Sequence, residues 1–124
     1  MAVIYSAAVK AARMTATRDQ FAGGELEIVS AMGIRLACFR LAGNGGRIEG
    51  NAWIMMFNQA EVIAEALGKP AEARIKTTQG EIGLSGLTVG KGADIEIAYP
   101  EQSEDRISAG QIVRLTTATI IHAG

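Results

Sequence analysis

One cysteine, Cys38, and one histidine, His122, are the only residues of their kinds in 124, and this scarcity limits the chemistry the chain could perform. A single histidine rules out a His-centred catalytic pair or a multi-histidine metal site within one chain, and His122 reads as the end of a strand. Cys38 lies in the apolar run from Ile34 to Leu41 with no histidine near it in sequence. Such a setting raises a thiol's pKa and leaves it inert, so a core thiol is expected. The acidic set Glu96, Glu101, Glu104 and Asp105 lacks the ordered oxygen-ligand spacing of a calcium loop and reads as a solvated loop. Gly68-Lys69 and Gly90-Lys91-Gly92 do not match a phosphate-cradling loop, no GxGxxG is present, and both read as turns. Nucleophile, base and metal set are all missing from the pattern, so neither enzymatic activity nor a cofactor is expected.

Length and charge narrow the partners. A chain of 124 residues can bury one core but not two, so a single domain, 1–124, is expected, with an N-terminal arm, 1–5. Lys and Arg number 12 against 13 Asp and Glu, a formal net charge of -1, and no long-range field favours nucleic acid or an anionic membrane. No stretch approaches the ~20 apolar residues of a membrane helix, and the start, Met1 to Tyr5, lacks the features of a signal peptide. The lone cysteine fits synthesis in a reducing compartment. The 15 glycines and 2 prolines suit many tight turns.

Hydrophobic periodicity points to a mainly β fold. From Gln111 to Ile121, Val113, Leu115, Thr117, Thr119 and Ile121 alternate with Ile112, Arg114, Thr116, Ala118 and Ile120, a two-residue period that predicts a long strand within a sheet. Upstream, Ser6 can cap an alanine-rich helix, Ala7 to Gln20, with a narrow apolar stripe through Val9, Ala12 and Ala16 that can take in Arg13 to Met14, stopped by Gly23-Gly24. Leu26 and Ile28 mark a half-buried strand, and Ala31-Met32-Gly33 turns the chain into a second strand with Ile34, Leu36 and Cys38 on one face. Gly43-Asn44-Gly45-Gly46 is the strongest hairpin signal, with a new strand from Ile48. Trp53 to Phe57 is apolar without period. It is either a central strand buried on both sides or a patch covered by another subunit. Asn58-Gln59-Ala60-Glu61 resembles a capping box leading into a short helix through Val62, Ile63, Ala66 and Leu67. Ala73 and Ile75, then Ile82 and Leu84 beyond Gln79-Gly80, form a hairpin, and Ile95, Ile97 and Tyr99 form a further strand. Seven or eight strands with turns every eight to twelve residues favour an antiparallel, jelly-roll-like β-sandwich with the N-terminal helix packed on it.

The order of these segments resembles small structural proteins of tailed double-stranded DNA bacteriophages and prophages. The resemblance runs from Tyr5 to Met14, through Gly23-Gly24-Glu25-Leu26-Glu27-Ile28, to the closing Ile107-Ser108-Ala109-Gly110-Gln111-Ile112-Val113. Where that family carries a central A-x-A-x-(aromatic)-R-(Ile/Leu) strand, this chain has Ala71-Glu72-Ala73-Arg74-Ile75-Lys76, followed by Thr78-Gln79-Gly80 and Ala93-Asp94-Ile95-Glu96-Ile97. It departs from the family between Ala52 and Leu67, where an apolar stretch replaces a polar one. The resemblance implies a non-enzymatic virion component, foremost a capsid decoration or cement protein on the capsid exterior, made in the host cytoplasm. Its partners would be the major capsid protein and copies of itself as a dimer or trimer. A minor tail or head-to-tail connector protein is the alternative within that class. Outside it stands a carbohydrate-binding module, against which the sparse Tyr and Trp residues, Tyr5, Trp53 and Tyr99, argue. The apolar segments expected to make protein contacts are Val3, Ile4 and Tyr5 in the arm and Trp53, Met55, Met56 and Phe57 in the central run.

Overall fold

The protein is described by a computed structural model covering residues 5–90, 92–98, 107 and 109–121. Among the described residues, one helix, α1 (Ala7–Phe21), precedes eight strands: β1 (Glu25–Val29), β2 (Arg35–Glu49), β3 (Ala52–Phe57), β4 (Glu61–Ile63), β5 (Glu72–Lys76), β6 (Ile82–Leu87), β7 (Ile95–Ala98) and β8 (Ile112–Ile121). The fold is mainly β, as the periodicity predicts. All strand ladders are antiparallel, and they join into one sheet in the order β4-β8-β3-β2-β1-β5-β6, with β7 also paired to β8. The strands thus form a single sheet that does not close on itself. Just past β6, Val89 meets Ile95 of β7 at a single parallel bridge.

Ser6 caps α1 as its sequence position demands, its Oγ accepting from the Val9 N–H at 3.2 Å. The chain leaves the helix where the Ala22 N–H donates to the Arg18 carbonyl, and Gly23 follows at φ +76°. Of the expected stripe, Val9, Ala12 and Ala16 point to solvent and Arg13 is exposed, whereas Met14 enters the core together with Phe21, two turns further on. Bulk decides the orientation, since one phenyl ring buries far more apolar area than several methyl groups. Phe21 stacks on Trp53 with ring centroids 6.1 Å apart.

Strand β2 corrects the hairpin expected at residues 43–46. It continues to Glu49, and between the pairs Leu41 to Phe57 and Gly46 to Met55 it carries a pronounced bulge. The Asn44 Oδ1 accepts from the Gly46 N–H, Gly45 and Gly46 take φ of +75° and +112°, and the Trp53 Nε1 donates to the Gly45 carbonyl at 2.8 Å. The positive-φ tolerance of Asn and Gly is thus spent on bending one strand, and the actual turn falls at Gly50-Asn51 between Glu49 and Ala52. The expected helix beyond Asn58 is absent too. Residues 61–63 are strand β4, paired with β8 through Val62 to Val113 and Ile63 to Ile112. A strand edge offering hydrogen bonds overrides a weak local helix signal.

The remaining elements follow the sequence reading more closely. Leu26, Ile28, Ala73 and Ile75 line the inner face of β1 and β5, but in β2 the expected face of Ile34, Leu36 and Cys38 is overturned. The register shift at Ile28 and Val29 leaves Leu36 as an extra residue, so Leu36, Ala37 and Phe39 are all buried while Cys38 turns to the outer face and Ile34 is exposed. Phe39 lies edge-on to Phe57 at 6.1 Å. The β5 to β6 hairpin turns at Gln79-Gly80 and contains two register shifts. In β8, burial follows Val113 and Leu115 and then passes to Ala118, because a bulge opposite Glu96 and Ile97 flips the faces that strict alternation assigns. Tyr99 and the charged loop of residues 100–106 lie outside the described residues.

Candidate interaction surface

Among the described residues, most of the ion pairs gather on the outer face of β1, β2 and β5. Glu27, at the centre of this face, is only 1% exposed. Its Oε1 accepts from the Arg74 Nε at 2.8 Å, and its Oε2 accepts from Arg35 at 3.0 Å and lies 3.2 Å from the Lys76 Nζ. Burial pushes the Glu27 carboxyl up, but the hydrogen bonds from Arg74, Arg35 and Lys76, with the charge of Lys76, outweigh it and hold the group below its ordinary value. Arg35 also donates to Glu65 Oε1 from two nitrogens, at 2.8 and 3.0 Å. Its hydrogen bonds to Glu65 and Glu27 raise its pKa further. The cluster therefore ties together three strands and the segment that follows β4. A buried carboxylate met on both oxygens by cations is an anchor rather than a reagent.

Cys38 sits beside this cluster, half-buried, and donates to Glu25 Oε2 at 3.3 Å. Burial first, then that hydrogen bond and the charge of Glu25, push the thiol up to about 12. The thiolate needed for nucleophilic attack is thus suppressed, in keeping with an inert thiol, although the side chain lies on the outer face instead of in the core. An open groove of about 520 Å³ runs past Glu25, Cys38, Arg40, Asn58, Gln59 and Val62. It lies where Asn58 and Glu65 donate to the Arg40 and Leu36 carbonyls of β2, while between them the Ala60 carbonyl accepts from Leu115 of β8 and Ala64 bonds to Gly110 and Gln111 just before β8. Among the described residues, no three His, Cys, Asp or Glu side chains converge to hold a metal, and no helix is long and apolar enough to cross a membrane.

The most distinctive surface is apolar. Exposure alternates along residues 61–69, so Glu61, Ile63, Glu65, Leu67 and Lys69 point outward while Val62, Ala64, Ala66 and Gly68 turn inward. Gly68 closes over Leu36, where an added Cβ would lie 2.8 Å from a Leu36 methyl, and exchanges backbone hydrogen bonds with Ile107. Ile63 and its cross-strand neighbour Ile112 are both exposed, Ile63 to 62%. At the other end Leu67, 59% exposed, shares an open groove of about 410 Å³ with Met32, Ile34 and Pro70, and Met32 is 87% exposed. The Arg35 to Glu65 ion pair lies between the two apolar ends. Singly exposed apolar residues are ordinary, whereas a grouped set bordered by charges marks a contact surface.

Of the residues expected to make contacts, Trp53 and Met55 are buried in the core and are therefore not surface groups, because alternation along β3 turns them inward. Phe57 is partly buried against the core, and Met56 is exposed. Tyr5 is half-buried with the Arg13 guanidinium 4.1 Å from its ring centroid. Val3 and Ile4, together with Lys91, Glu101, Glu104, Asp105 and His122, lie outside the described residues. The helix expected beyond Asn58 hides Ile63 and Leu67, whereas the alternation of Glu61, Ile63, Glu65 and Leu67 is the sequence signal that places them on one exposed face. No protein-family model, curated protein or solved structure matches the chain.

Proposed function

We propose that this chain is a non-enzymatic structural protein of a tailed-bacteriophage virion, foremost a capsid decoration protein that stabilises the major-capsid lattice. The observation that carries this reading is the exposed apolar set Met32, Ile34, Ile63, Leu67 and Ile112 on a domain whose one thiol is held protonated. Such a domain acts by burying surface. The chain-long resemblance to phage structural proteins supplies the setting, and repetition on a symmetric shell turns modest contacts into firm attachment. The sandwich-like arrangement belongs to the same proposal: β2 and β8 each pair with different neighbours along their two halves, which lets one continuous sheet fold its inner faces together.

A mass-spectrometric inventory of purified particles tests the proposal. It expects the chain in many copies per particle, with density on the capsid exterior. A few copies at the portal or tail would favour the connector alternative, and absence from the particle would overturn the virion reading.

A further inference from the structure

We propose that the ridge along residues 61–69 is the self-contact of the protein, pairing two copies about a two-fold axis that passes beside Glu65 and Arg35. The outward residues read Glu61, Ile63, Glu65, Leu67, Lys69, and this order is complementary to its own reverse. When a second copy is turned about Glu65, Ile63 meets Leu67 and Glu61 meets Lys69. An isologous contact requires this property, because every residue meets its counterpart across the axis.

The flanking groups obey the same symmetry. Ile112 stands beside Ile63 at one end, and Ile34 and Met32 stand beside Leu67 at the other, so each apolar end finds an apolar end. On the axis, each Glu65 is already neutralised by its own Arg35 at 2.8 Å, and the four groups can alternate in sign. Glu61 is held by Arg114 at 2.7 Å and offers its remaining acceptor sites to the second copy's Lys69. Area is sufficient as well. Five apolar side chains between 46% and 87% exposed present on the order of 500 Å² of apolar surface. Two copies together bury about 1,000 Å² from these alone, the size at which specific association begins.

Sedimentation equilibrium on the full chain tests the pairing through charge reversal. Wild type should associate as a dimer in the micromolar range. Lys69→Glu and Glu61→Lys should each raise the dissociation constant about tenfold through like-charge contacts, and the double variant should return it close to wild type. Both residues are exposed, and circular dichroism checks that each variant is folded. Because Glu61→Lys also places a cation beside Arg114, carbodiimide cross-linking of mixed light and heavy wild-type chains provides a second readout, with a Glu61 to Lys69 link expected between copies. A monomer at tens of micromolar, a trimer, single reversals without effect, a double variant that fails to recover, or links confined to other residues would each overturn the pairing. The pairing does not depend on the virion reading: a dimer absent from particles would sink the proposed function alone, and a monomeric virion component would sink the pairing alone.

Discussion

Replacing Glu27 by glutamine removes one negative charge from the point where Arg35, Arg74 and Lys76 converge and leaves the shape almost unchanged. The glutamine carbonyl still accepts from one donor, but its amide hydrogens confront another cation. Removing one member of a buried ion pair typically costs 3–5 kcal/mol. The three cations keep a quarter to two-fifths of their side-chain exposure, so water relieves part of the penalty and the lower end, about 3 kcal/mol, applies. A chain of 124 residues unfolds with about 0.26 kcal/mol per degree of entropy, so the variant should melt roughly 12 °C lower by calorimetry at pH 7. The dependence on pH provides a second check. Because the folded Glu27 carboxyl lies below its ordinary 4.5, the unfolded chain takes up this proton first as pH falls. The stabilisation is complete above that value and drains away as pH drops through the lower folded one. Glu27→Gln should remove this component, so the gap between the two proteins narrows in acid. A melting point within about 2 °C of wild type at pH 7, where a surface change would leave it, would refute the anchoring role, as would a gap that stays constant into acid.

Three further outcomes follow from the core and the thiol. Native Cys38, with its pKa pushed from 9.0 to about 12, should alkylate with iodoacetamide at pH 8 about a thousandfold more slowly than in urea, and equal rates would show an ordinary thiol. Trp53→Phe should cost about 2–3 kcal/mol by denaturant unfolding, because it leaves the Gly45 carbonyl without its donor and opens space beside Phe21, and wild-type tryptophan fluorescence should resist acrylamide quenching. Gly24→Ala should destabilise by at least about 2 kcal/mol, since its Cβ would collide with the Lys76 carbonyl oxygen. Gly33→Ala, at φ +81° with open space around it, should cost only about 1 kcal/mol, and equal losses for the two would contradict the close approach.

The elements legible in the sequence were those whose pattern depends on local chemistry. Ser6 announced the start of α1, the alternation of Ala73 and Ile75 with Glu72, Arg74 and Lys76 announced β5, and Gln79-Gly80 announced its turn. The failures share one cause, a competing partner distant in sequence. Asn44 and the glycines beside it permit a hairpin, yet Trp53 from β3 seizes the Gly45 carbonyl and makes the place a bulge. Residues 58–67 contain good helix formers, yet β8 supplies hydrogen bonds that hold Glu61 to Ile63 extended. Nothing local to Glu27 marks it as buried, because the three cations that cover it come from β2 and β5. The candidate surface was invisible for the same reason: mistaking the period of residues 61–69 conceals which side chains face out.

The two register shifts in the β5 to β6 hairpin also bear on how the molecule behaves when crowded. A regular terminal strand would offer an evenly spaced row of amide and carbonyl groups onto which further chains could zip without limit. The offsets along β6 spoil that template, so growth by strand addition stalls there. A terminal strand broken in this way leaves only side-chain surfaces of finite extent for another chain to meet at this end of the sheet.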